Sequence, residues 1–130
     1  MSVRIAGEKQ LNAELARRFG TNRMAAISDA ALKRGAAVFV AELKRQFETF
    51  KDTGESIREI TVSEPVWVGS ARMIKVYWRG PKDRYRIIHL NEWGTVQNPH
   101  PRGKGAIAKA IRNSQKAYRA AIKQTIREGI

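Results

Sequence analysis

His89 and Glu92 stand three residues apart in a stretch with helical spacing, which would place an imidazole and a carboxylate on one face. Such a pair can share a metal ion or pass a proton. A third ligand is hard to find: the only other histidine is His100, and the second half of the chain offers only Asp83, Glu92 and Glu128 as carboxylates. A packed or hydrogen-bonded His89 is the plainer reading. Further on, Arg102-Gly103-Lys104-Gly105-Ala106 leads into a helix, and helix N-termini attract anions. A phosphate loop needs Ser or Thr directly after its lysine, with glycines at fixed earlier offsets, and Gly105 and Ala106 do not fit. Nothing marks a catalytic triad or a nucleophile elbow. The absence of cysteine removes disulfides, thiolate nucleophiles and thiolate metal sites. The chain is therefore expected to be no enzyme and to carry no metal and no cofactor.

Charge is the stronger signal. The formal net charge is +13. Residues 1–65 hold 11 Lys/Arg against 9 Asp/Glu, net +2, while residues 66–130 hold 14 against 3, net +11. An asymmetry of that size implies a basic surface facing a polyanion or an acidic partner. Its densest part is the final segment. At 100° per residue Lys109, Arg112, Lys116, Arg119, Lys123 and Arg127 fall within an arc of about 80°, a single stripe along a helix. Residues 104–127 contain no acid, so no Glu-Lys pair offsets the repulsion. The ordinary alternative is a solvated helix face. Single-strand stacking is poorly served, since only Tyr118 lies on this helix, on its apolar side.

The elements that must position these groups follow from periodicity. Ser2 to Ala6 alternates weakly and predicts a short strand. Leu11, Leu15 and Phe19 repeat at spacing four, a helix from Glu8 stopped by Gly20. Thr21-Asn22 reads as an N-cap for a long helix through Ile27, Ala31, Leu32, Ala36, Phe39, Val40, Leu43, Phe47 and Phe50, with Gly35 marking close packing. After Lys51-Asp52-Thr53-Gly54 the period becomes alternating. Ile60 and Val62, Val66 and Val68, then Ile74, Val76 and Trp78 predict an antiparallel meander of about three strands, with Pro65 at an edge or break. Thr61, Lys75 and Tyr77 belong to the opposite face. A short helix is expected over Tyr85–Trp93, and a last one from about Gly105 to Glu128 with Ile107, Ala110, Ile111, Ala117, Tyr118, Ala121, Ile122 and Ile126 on one side. The fold class is α+β: a small antiparallel sheet of about three to four strands packed by a long central helix and a C-terminal helix. At 130 residues a single domain is expected, with a mobile loop at 94–105. Neither a signal peptide nor a membrane span is read, so a soluble, unsecreted protein is expected. Trp67, Trp78, Trp93, Tyr77 and Tyr85 cannot all face one side of their elements, so some are expected at a partner surface.

Two motifs matter together. Asp52-Thr53-Gly54 follows the long amphipathic helix, and Glu92-Trp93-Gly94-Thr95 ends the short one, before a proline-containing loop and the C-terminal helix. In this order, from about Leu11 to Ile126, the chain resembles the tail-completion, or neck, proteins of long-tailed, siphovirus-type, lambdoid bacteriophages. Members of that family show a D-T-G turn and then an acid-aromatic-G-T motif. This chain departs from them at Phe50-Lys51, where proline often precedes the turn, and at Pro99-His100-Pro101-Arg102, where an apolar pair is usual.

The resemblance implies a non-enzymatic virion component, assembled in the host cytoplasm, that completes the head-tail joint. It also implies a homo-oligomeric ring, commonly sixfold, contacting a head-closure protein above and tail-terminator or tail-tube proteins below, with no cofactor. Arg102, Lys104 and the six stripe residues would then contact those partners or DNA in the channel. The alternatives are a tail-terminator ring protein, a basic nucleic-acid-binding module, and a small metal-dependent nuclease using His89 and Glu92.

Overall fold

The long apolar periodicity of the first half folds as expected into one extended helix, around which the rest of a computed structural model is built. Residues 2–6, 9–50, 54–69, 71–94, 96–97 and 99–129 are described. In chain order they form β1 (Ser2–Ala6), α1 (Lys9–Phe19), α2 (Thr21–Glu48), α3 (Glu55–Arg58), β2 (Ile60–Val62), β3 (Val66–Val68), β4 (Ala71–Trp78), α4 (Tyr85–Trp93) and α5 (Ala106–Gly129). The architecture is α+β, an open four-stranded antiparallel sheet packed against α2 and α5.

One glycine separates the first two helices. The Gly20 N–H donates to the Ala16 carbonyl at 2.9 Å, ending α1, and its own carbonyl accepts the Met24 N–H at 3.0 Å, starting α2. Its φ of +83° makes so sharp a junction possible. The N-cap assigned to Thr21-Asn22 therefore falls inside the helix: Gly20 occupies the cap position, without a side-chain cap hydrogen bond.

β4 is the centre of the sheet. β1 runs antiparallel along one side of it, from Ser2 opposite Tyr77 to Ala6 opposite Met73. β2 and β3 lie end to end along the other side, rather than forming successive strands of a meander. Val62 faces Val76 and Val66 faces Met73, so four steps on one strand oppose three on β4. The extra residue is a bulge at Glu64-Pro65, where proline has no N–H for the ladder. α3 escapes the sequence reading because four residues are too few to display a period.

The expected alternation of β4 holds: Ile74, Val76 and Trp78 are buried and Lys75 is exposed. They pack with Ile5 and with Leu32, Ala36, Phe39, Leu43 and Phe47 of α2 and Ile107 and Ala110 of α5. Trp78 stacks on Phe47 and donates its indole N–H to the Ser56 carbonyl at 2.9 Å. Each such large apolar side chain stabilises the fold by roughly 1.5–3 kcal/mol. That outweighs any one exposed ion pair, typically worth about 0–1 kcal/mol. A second cluster of Met24, Ile27, Ala31 and Ile126 closes the far end of the α2–α5 pair. The buried face of α5 is narrower than its apolar residues suggest. Ile111 and Ala117 are exposed, while Ser114 and Thr125 are buried with their hydroxyls donating to the Ala110 and Ala121 carbonyls.

Candidate functional site

α5 begins without Ser, Thr, Asp or Asn at its cap position and without an acid in its first turn, so its first N–H groups need partners from elsewhere. Glu92, at the end of α4, supplies them. Its carboxylate accepts the Ile107 N–H at 2.6 Å and, at the longer distance of 3.4 Å, the Ala108 N–H. Its backbone carbonyl accepts the Gly105 N–H at 2.9 Å. The Ala106 N–H goes to the Gly103 carbonyl, and that of Lys109 begins the regular ladder to Gly105. Glu92 is 4% exposed. A negative charge on the positive end of a helix is favourable in itself. The anion that a phosphate reading would place here is thus the protein's own carboxylate.

The same geometry explains two of the four positions of the acid-aromatic-G-T motif. Gly94 has φ +81°, and a Cβ there would come within 2.5 Å of the Pro99 carbonyl oxygen, so only glycine fits. Trp93 points the other way and is 66% exposed, and Val96 just beyond it is 97% exposed. Thr95 lies outside the described residues, as do Asp52 and Thr53 of the first motif. Gly54 of that motif takes the left-handed conformation and heads α3. The loop after Gly94 is anchored at its far end too, where Gly103 leaves no room for a Cβ beside the Phe50 ring.

The basic residues divide into two groups. Arg102 and Lys104 turn back on the protein: Arg102 donates to the Thr49 carbonyl at 3.3 Å and Lys104 Nζ to the Pro99 carbonyl at 2.9 Å. Lys109, Arg112, Lys116, Arg119, Lys123 and Arg127 are all exposed. Among the described residues none of these six forms an ion pair, whereas Arg34, Arg45 and Arg72 pair with Glu128, Glu42 and Asp29. Gln115, Lys116, Arg119, Ala120 and Lys123 line a shallow open depression on this face.

Glu59 went unnoticed in the sequence. It is 3% exposed, and its carboxylate accepts the Lys82 N–H at 2.8 Å and the Arg84 N–H at 2.9 Å, fixing the turn that feeds α4. The available signal is an acid next to strand residues, too common to single it out. With Glu92 it makes a pair of buried glutamates, one steadying each end of α4. The side chain of His89 lies outside the described residues, and among the described ones no three His, Asp or Glu gather as metal ligands would.

The aromatic residues differ in exposure. Trp78 is buried, while Trp67 is 44% exposed, with the Arg72 guanidinium 5.0 Å from its ring centre. Val62, Val66 and Val68 make the β2–β3 edge apolar around it. Among the described residues no helix is long and apolar enough to cross a membrane. Compared with known proteins, the chain matches no family model, no curated protein and no solved structure.

Proposed function

We propose that the chain is a structural subunit of a bacteriophage neck, completing the head-tail joint as one member of a homo-oligomeric ring between head-closure and tail proteins. The observation that carries the reading is the division of labour within Glu92-Trp93-Gly94. Glu92 and Gly94 fix the α4–α5 junction, and Trp93 and Val96 beside it stand in solvent. An exposed aromatic at such a junction suits an interface anchor, since tryptophan is prominent among residues that dominate binding energy. The apolar β2–β3 edge offers a second contact surface, as a ring subunit with two unlike neighbours requires.

The test is the mass of the purified protein by light scattering, alone and mixed with head-closure and tail proteins of the same source. A ring in the mixture is the expected result. Phage carrying Trp93→Ala should yield separate filled heads and tails although the subunit folds. Normal joining by that variant, or no association with either neighbour, would refute the reading.

A further inference from the structure

We infer that the outward face of α5 binds the phosphate backbone of duplex nucleic acid without reading its sequence. The inference stands on α5 alone and does not depend on the neck reading. From Lys109 to Arg127 the stripe runs 18 residues, about 27 Å at 1.5 Å per residue. Its six cations have no ion-pair partner among the described residues, in a molecule whose acids are largely engaged elsewhere. Asp29 binds Arg72, Glu42 binds Arg45, and Glu59 and Glu92 are committed to backbone N–H groups.

Three features favour duplex over other polyanions. Duplex DNA carries roughly one phosphate charge per 1.7 Å of axis, so a 27 Å stretch presents about 16, enough to engage every cation on the stripe. The stripe carries no aromatic or large apolar anchor of the kind a protein interface uses at its centre, and Ala120 leaves a gap among Lys116, Arg119 and Lys123 where a backbone can approach closely. Single strands are stacked on aromatic side chains, and none faces outward here. Contacts to phosphate carry no sequence information, so the binding is indifferent to sequence.

The experiment is fluorescence anisotropy of the full chain with a labelled mixed-sequence duplex, over salt from about 50 to 200 mM. Four to six phosphate contacts predict a log-log slope of about −3.6 to −5.4, a loss of roughly 100- to 2,000-fold across that range. Lys116→Glu, Arg119→Glu and Lys123→Glu together should abolish binding with an unchanged circular dichroism spectrum. The same change of charge at Lys44, Arg79 and Lys82, which lie off α5, should leave most of it. Absence of binding at about 50 mM salt, or equal losses in the two triple variants, would overturn the inference. Competition by polyglutamate as effective as by duplex at equal charge would also overturn it, and would assign the face to an acidic protein.

Discussion

A carboxylate on one helix can cap the next when the loop between them folds back, and Glu92 does this for α5 across fifteen residues. Its neighbour Trp93 takes no part and stands mostly in solvent. The two adjacent residues should therefore respond in opposite ways to truncation. Glu92→Ala, which strands two N–H groups at a helix end, is expected to cost about 2 kcal/mol in urea unfolding. Trp93→Ala should stay within about 0.5 kcal/mol of the parent. Similar losses for both would mean that the motif has one role, not two. The sequence singles out Glu92 as the neighbour of His89 and as the acid of the acid-aromatic-G-T motif. The groups it serves are N–H groups of a helix that begins without a cap of its own. Such a need can be read from Gly105-Ala106-Ile107-Ala108, where no side chain can supply an acceptor.

Between elements, the α2–α5 contact depends on a missing side chain. A Cβ on Gly35 would lie 2.9 Å from both Cγ1 and Cδ1 of Ile122, so the helices approach only because position 35 is bare. Glycine in a helix costs about 1 kcal/mol relative to alanine, which close packing has to offset. Gly35→Val should destabilise the protein by about 1–3 kcal/mol in a thermal or urea melt. Adding Ile122→Ala should return part of the loss, and strictly additive effects would show that the two residues are not coupled. This contact was legible in advance, because glycine in an otherwise apolar-periodic helix has few explanations. The sheet was less so. The strands of β2–β4 could be found from alternation, but which strand pairs with which depends on contacts far apart in sequence. The bulge that places β2 and β3 on one line shows itself only through Pro65.

For the molecule as a whole, acid should weaken the fold at an identifiable group. The hydrogen bonds of Arg45, Gln46 and Asn113 hold the Glu42 carboxyl down at about 2, below its ordinary 4.5. Because the folded value is the lower one, the stability Glu42 lends is complete above about pH 4.5 and drains away as pH falls through about 2. Asn113 reaches Glu42 from α5 at 3.0 Å, so part of this stability ties the two long helices together. Asn113→Ala should raise the Glu42 pKa, followed by carboxyl NMR titration, and shrink the difference in urea midpoint between about pH 6 and pH 2. An unmoved Glu42 titration would remove Asn113 from the account.

The central position of β4 also governs when the fold can form. β1, β2 and β3 each pair with β4 and not with one another. During synthesis β1 stays without its partner until Met73 to Tyr77 have been made. Until then α2 has no sheet to cover Phe39, Leu43 and Phe47, and a nascent chain ending before Ala71 contains strands with nothing to join them. Closing so long a loop is a slow and entropically costly event in folding. The sheet therefore forms only once β4 has been made, and until then the apolar side of α2 that packs on it stays uncovered.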